Sequence, residues 1–313
     1  MAGGKRAAYK LATYQTKDGP RAGIVVDDDI FDAGKITGKP AYATVAGILA
    51  DWRKAERALR NAVGGAASIR AKKTPLAKTK LLAPVPHPQT IFCAGANYQD
   101  HAAAMARKVG MPEPADPHQQ GLKPWHFIKA ARTIADPGAT IKALHYAKEL
   151  DWEIELAAII GRPAKDVLKE KALAYVAGYT AANDLSARDR GRRPGVEPTS
   201  LFKMDWTKHK SFDGSCPLGP WITPASDIAD PQQLAMKLWV NGVLKQDSNT
   251  GKMLFTLAEQ IEQLSINMTL HPGDLILTGT PAGTGAESGE FLKLGDVIKI
   301  WVEGIGEFEN RIA

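Results

Sequence analysis

The amino-acid sequence predicts an α+β protein that is mostly β, with a small N-terminal α+β domain over residues 1–80 and a larger β-rich domain over residues 81–313. Three observations carry this. From residue 81 onward the apolar residues fall in short runs separated by Gly, Pro, Asn and Asp, the texture of strands joined by turns. The 29 Gly and 20 Pro among 313 residues demand many tight turns. Helical spacing is confined to a few segments, one of them before residue 80.

Residues 9–32 read as short strands, with Ala22-Gly23-Ile24-Val25-Val26 and Ile30-Phe31 flanking the acidic turn Asp27-Asp28-Asp29. Residues 45–62 read as a helix, because Ile48, Leu49, Trp52, Ala55, Leu59 and Val63 recur at three-to-four-residue spacing before Gly64-Gly65 stops it. A basic linker follows over 66–80. Two later helices are expected over 164–175 and 253–265, the second with Leu254, Leu257, Ile261 and Leu264 on one stripe. Asn241-Gly242 between apolar runs predicts a type I′ hairpin, since that turn needs positive φ at both central residues. Pro272-Gly273-Asp274 and Leu294-Gly295-Asp296 each precede an apolar strand. Residues 110–124, with four Pro, two Gly and few apolar side chains, form a loop of lid length.

Composition excludes several classes of function. With 44% apolar and 24% charged residues the chain is an ordinary globular one. Its net charge of +6 is scattered, so nucleic-acid binding is not expected, whereas a mildly positive field favours a small anionic substrate. Cys93 and Cys216 form no disulfide framework and lack zinc spacing, which points to a reducing, cytoplasmic setting. No apolar run reaches membrane-spanning length, so no membrane partner is expected.

The segment Leu150-Asp151-Trp152-Glu153-Ile154-Glu155-Leu156 reads as a strand on which Glu153 and Glu155 share one face. Two adjacent carboxylates repel unless a cation lies between them or the face is the solvated side of an edge strand. Asp184, in the apolar setting Thr180-Ala181-Ala182-Asn183-Asp184-Leu185, would complete an all-oxygen triad. Three carboxylates without Cys or His favour Mg²⁺ or Mn²⁺, and Ca²⁺ after them, over zinc. The stretch Gly279-Thr280-Pro281-Ala282-Gly283-Thr284-Gly285 lacks the Gly-Lys-Ser/Thr ending of a phosphate loop and no helical pattern follows it.

Asn97-Tyr98-x-x-His101, Glu153-x-Glu155-Leu156 and Asn183-Asp184-x-Ser186-Ala187-Arg188-Asp189 occur in that order. With Lys210-Ser211-Phe212-Asp213, Cys216-Pro217-Leu218-Gly219-Pro220 and Thr278-Gly279-Thr280-Pro281-x-Gly283, they make residues 81–313 resemble the fumarylacetoacetate hydrolase family. The resemblance implies a mixed β-sheet roll, a homodimer, and a cation held by Glu153, Glu155 and Asp184. It implies that Lys210 and Arg188 neutralise an enolate, that His101 is the general base, and that Tyr98, Lys129 and Thr280 contact substrate. The implied activity is hydrolysis of a C–C bond in an acylpyruvate-like acid. A lyase or isomerase using the same site, such as a 2-oxo acid decarboxylase, hydratase or tautomerase, is the first alternative, and a non-catalytic ligand-binding protein the second. Two positions depart from the family pattern. Ala104 stands where many members carry a Glu that pairs with the His, leaving lid residue Glu113 as a substitute, and Gly191 stands where many carry a Gln that contacts substrate.

Overall fold

The computed structural model describes residues 8–65, 73–197 and 199–313. Its main sheet runs, by hydrogen-bonded neighbours, Lys73–Pro75, Asp29–Asp32, Gly19–Val26, Lys10–Thr16, Cys216–Pro224, Val176–Asn183, Ile154–Ile160, Leu275–Leu277, Ile91–Ala94 and His126–Lys129. A five-stranded sheet runs Val243–Asn249, Ala235–Val240, Val297–Val302, Gly306–Ile312 and Thr140–Ile141. Most pairs are antiparallel, but Leu275–Leu277 runs parallel to Ile91–Ala94 and Gly306–Ile312 parallel to Thr140–Ile141, so both sheets are mixed.

The strand Ile154–Ile160 shows how the layers are assembled. All seven residues are buried, as expected of a strand covered on both faces. Ile154, Leu156, Ala158 and Ile160 join a core with Met236, Leu238, Ile298 and Ile300 of the five-stranded sheet. Ala157 and Ile159 join a second core with Ile48, Leu49, Trp52, Ala55 and Leu59 of the N-terminal helices. Period-two alternation thus sends one face to each layer. The division at residue 80 is not a division of this core. Leu11 pairs with Ile222, and Thr13 and Tyr14 pair with Leu82 and Leu81, so the N-terminal strands extend the main sheet.

Turn chemistry matches expectation. Asn241 and Gly242 have φ of 51° and 79°, the values a type I′ turn requires, between Ala235–Val240 and Val243–Asn249. The helices differ more. The apolar stripe over 45–62 is buried, but as Val45–Leu49 and Trp52–Gly64, because Asp51 leaves helical geometry and its carbonyl starts the second helix by accepting from Lys54 and Ala55. Over 164–175 only Lys169–Ala172 is α-helical, followed by the 3₁₀ turn Leu173–Tyr175. Ala164 is drawn instead into a bridge with Leu270, and Val167 donates to Ser265, so long-range hydrogen bonds override the local spacing. Residues 66–72 of the linker lie outside the described residues, and its remainder is the edge strand Lys73–Pro75 and the turn Leu76–Lys78.

The helix expected over 253–265 is Leu257–Asn267, closed by a capping box in which the Thr256 hydroxyl accepts from the Glu259 N–H and the Glu259 carboxylate accepts from the Thr256 N–H. Thr256→Ala is expected to cost about 1 kcal/mol in urea denaturation. An unchanged midpoint would show that packing of Leu257, Ile261 and Leu264 alone holds this end.

Candidate active site

Ile154–Ile160 lies between Val176–Asn183 and Leu275–Leu277, so Glu153 and Glu155 are at the mouth of a central strand, which removes the solvated-edge explanation for the pair. Ile154 is in register with Asn183, the Asn183 side chain accepts from the Glu153 N–H at 2.9 Å, and the Asp184 N–H donates to the Glu153 carbonyl at 2.9 Å. These ties bring Asp184 beside the strand mouth. Carboxylate oxygens of Glu153, Glu155 and Asp184 come within 4.8 Å of one another, and all three residues are buried.

Three cations answer four buried carboxylates. Lys210 Nζ lies 2.6 Å from both Glu153 and Asp184, Lys129 Nζ lies 2.5 Å from the other Asp184 oxygen, and Arg188 spans Asp151 at 2.8 Å and Glu153 at 2.5 Å. Glu155 has no cationic partner among the described residues; its Oε2 accepts only from the Gly279 N–H, at 2.7 Å. Gly279 has φ of 98°, and a Cβ there would stand 2.9 Å from Asn97, so only glycine brings this N–H to the carboxylate. Burial, with the charges of Asp184 and Glu153 beside it, pushes the Glu155 carboxyl well above the usual carboxylate range. Burial would do the same to Glu153, but Lys210 and Arg188 outweigh it and hold that carboxyl well below. An oxygen-only donor set with one uncompensated negative charge fits a hard divalent cation.

His101 sits in the first turn of Gln99–Lys108, a helix anchored by Asp100, which accepts from Ser248 at 2.7 Å, Lys252 at 3.2 Å and the Ala282 N–H at 3.2 Å. Its Nδ1 lies 2.5 Å from Oε1 of Glu287. Glu113 is not the substitute for the missing partner at 104, since it is exposed and paired with Arg107. The sequence reading missed Glu287, along with the one-turn helix Gly285–Ser288 that carries it, where no helix was expected. Asp151 seats that turn by accepting from the Gly285 and Ala286 N–H groups at 2.6 and 2.9 Å while pairing with Arg188. The spacing Thr284-x-x-Glu287 was the available signal for a helix start.

A cavity of about 170 Å³ is lined by the three carboxylates, His101, Arg188, Lys210 and Thr280, together with Trp125, Phe127, Trp206 and His209. Thr280 is where a substrate contact was expected: its Oγ1 accepts from Gln246 at 2.9 Å, which leaves its own O–H to donate. Two expected substrate contacts are corrected. Tyr98 is fully buried, donates to the Met236 sulfur at 3.3 Å and does not line the cavity, because its place at the start of the helix turns the ring into the core. Lys129 lies behind Asp184, bonded also to the Leu185 carbonyl at 3.2 Å, and acts on the carboxylate from outside the cavity.

Residues 110–124 are mostly exposed. Among their ties are an ion pair of His118 with Glu259 at 3.0 Å and ring contact of His118 with Phe255 at 4.8 Å. So few anchors open at little cost, and oxalate is expected to raise amide-exchange protection across 111–124 in Mg²⁺-treated protein. Equal protection with and without oxalate would exclude a closing lid.

No helix among the described residues is long and apolar enough to cross a membrane. The family model described as fumarylacetoacetate (FAA) hydrolase C-terminal matches residues 90–313. Oxaloacetate tautomerase fahd2 of Xenopus laevis is 33% identical over 97% of this chain and 90% of its own length. Oxaloacetate tautomerase YisK of Bacillus subtilis is 37% identical over 76% of this chain and 74% of its own. A maleylpyruvate hydrolase from Sphingobium, solved with manganese(II) and pyruvate, is 29% identical with a TM-score of 0.73, covering 97% of this chain and 98% of that one. The named reactions of these relatives differ, but the family match over residues 90–313 takes in the carboxylate triad, the His101 helix and the whole five-stranded sheet, so this chain belongs to the fumarylacetoacetate hydrolase family.

Proposed function

We propose that the protein is a divalent-cation-dependent enzyme that moves a proton at the carbon beside the keto group of a small 2-oxo acid, interconverting its keto and enol forms. The observation that carries this is the His101–Glu287 pair on the wall of the carboxylate-lined cavity. An ionised carboxylate only accepts, so Nδ1 carries the proton and Nε2 is the free base. His101 Nε2 takes the proton from carbon 3, the C–H electrons form the C2–C3 double bond, the C=O π electrons move to the keto oxygen, and the imidazolium then gives its Nε2 proton to that oxygen, restoring the free base. Glu287 keeps the imidazole in that tautomer and stabilises the imidazolium. Lys210 and Arg188 keep Glu153 ionised and add positive potential where negative charge develops, and Thr280 donates to the substrate carboxylate. A Mg²⁺ or Mn²⁺ ion held by Glu153, Glu155 and Asp184 would supply Lewis-acid stabilisation of that charge.

The higher identities to oxaloacetate tautomerases favour tautomerisation. Hydrolysis of the C–C bond of a 2,4-dioxo acid is the second reading. It is supported by the same His–Glu pair, which suits water activation, and by the maleylpyruvate hydrolase likeness. Following enol absorbance and pyruvate release separately with Mn²⁺-loaded protein tests both. Accelerated enol decay without pyruvate supports tautomerisation, stoichiometric pyruvate supports hydrolysis, and neither with any 2-oxo acid leaves a ligand-binding protein.

A further inference from the structure

Beyond the carboxylates and their counter-ions, the cavity wall is aromatic. Phe127 stacks on Trp206 at 5.0 Å, Trp125 meets Trp206 edge-on at 5.6 Å, and Trp206 stacks on His209 at 5.5 Å. His209 is the polar exception in this wall. It is 6% exposed, and neither ring nitrogen has a hydrogen-bond partner among the described residues. A buried polar ring without partners is costly, and such groups in native proteins call for an explanation. The ring also has a dedicated place: a Cβ on Gly191 would stand 2.8 Å from its Cγ and 2.9 Å from its Nδ1, so the bare backbone at 191 makes the room. Burial, then Lys210 and Arg188, push the His209 imidazole down to about 3, so it is neutral, with one N–H donor and one acceptor nitrogen.

The cavity offers no spare cation to a second carboxylate. Lys210 and Arg188, the Lys and Arg lining it, are both engaged by Glu153, Asp184 and Asp151. A far-end carboxylate would exchange water for aromatic rings and a neutral imidazole, whereas a far-end carbonyl would meet a hydrogen-bond donor.

We propose that His209, seated against Gly191, is a substrate-specificity residue that hydrogen-bonds the far carbonyl of a 2-oxo acid whose far end is uncharged, and so selects ketone-ended acids over 2-oxo dicarboxylates. This rests on the 2-oxo acid reading above. The discriminating pair is 2,4-dioxopentanoate and oxaloacetate, which differ at the far end by a methyl group in place of an anionic oxygen.

Mn²⁺-loaded wild type, His209→Phe and His209→Gln are compared by KM and kcat, with oxalate, which has no far end, titrated by tryptophan fluorescence. Wild type is expected to favour 2,4-dioxopentanoate in kcat/KM. His209→Phe keeps the ring on Trp206 but removes the hydrogen bond. It is expected to raise KM for 2,4-dioxopentanoate about tenfold, to leave oxalate affinity within about twofold of wild type, and to raise the melting temperature by removing a buried unpaired group. His209→Gln restores most of the KM. A wild-type preference for oxaloacetate, or a KM unmoved in His209→Phe, overturns the proposal. Absence of both oxalate binding and turnover in wild type overturns the 2-oxo acid reading beneath it.

Discussion

Glu155→Gln is expected to stabilise the chelator-treated protein while abolishing both catalysis and the stabilisation that Mg²⁺ or Mn²⁺ confers. Glu155 is buried without a cationic partner among the described residues, and the hydrogen bond it accepts from the Gly279 N–H can equally be accepted by an amide oxygen. Replacing it by the amide removes a carboxyl that burial and two neighbouring carboxylates hold well above its usual range, and leaves no orphan, a gain of roughly 1–3 kcal/mol. The neighbouring carboxylate behaves oppositely. Glu153→Gln takes one of two carboxylate partners from both buried Lys210 and half-buried Arg188, paired with it at 2.6 and 2.5 Å, and is expected to cost roughly 1–3 kcal/mol in the same buffer. In wild type, a cation at a hundred times its dissociation constant adds about 2.7 kcal/mol, and neither variant shows that increment. Urea melts with and without chelator decide the matter. Two variants shifting stability in the same direction would mean that the charge arrangement at this site is not the one described.

Glu287→Ala is expected to lower kcat about 100-fold, within the range of a positioned acid–base system, with KM and cation affinity little changed, because it removes the group that orients His101 and stabilises its protonated form. Ala104→Glu in that background is expected to recover most of the loss. Residue 104 lies one helical turn from His101, on the same face, and presents a carboxylate to the same imidazole. In the wild type the same substitution brings no gain, since Nδ1 already has its acceptor. A kcat that falls less than threefold in Glu287→Ala would remove the pair from the mechanism. Loss of activity that Ala104→Glu leaves unrelieved would mean that Glu287 serves the fold of Gly283 and Thr284 rather than the base.

The carboxylate triad was legible because two of its members are two residues apart on one strand, where the period of the backbone alone sets their common face. The Asn241-Gly242 turn was legible for a similar reason, since few residue pairs tolerate its φ values. Glu287 was not legible. It lies 186 residues from His101, and the spacing of Thr284 and Glu287 predicts a helix start without saying what that start will face. Tyr98 and Lys129 were assigned from the family resemblance, and a resemblance does not tell whether a side chain points into a cavity or behind it.

By itself, then, the sequence determined the β-rich class, the turns, the apolar stripes of the N-terminal helices and the members of an all-oxygen carboxylate triad, because each depends on interactions within about ten residues or on a side-chain inventory. Only the tertiary structure decided that the N-terminal strands extend the main sheet, that the α-helix in the 164–175 segment is confined to Lys169–Ala172, that Glu155 is the carboxylate lacking a cation among the described residues, and that a distant turn supplies the partner of His101. These are outcomes of long-range pairing. Which backbone groups meet, and which charges are left over when they do, is set by how separate segments share one core, and no local pattern encodes that balance.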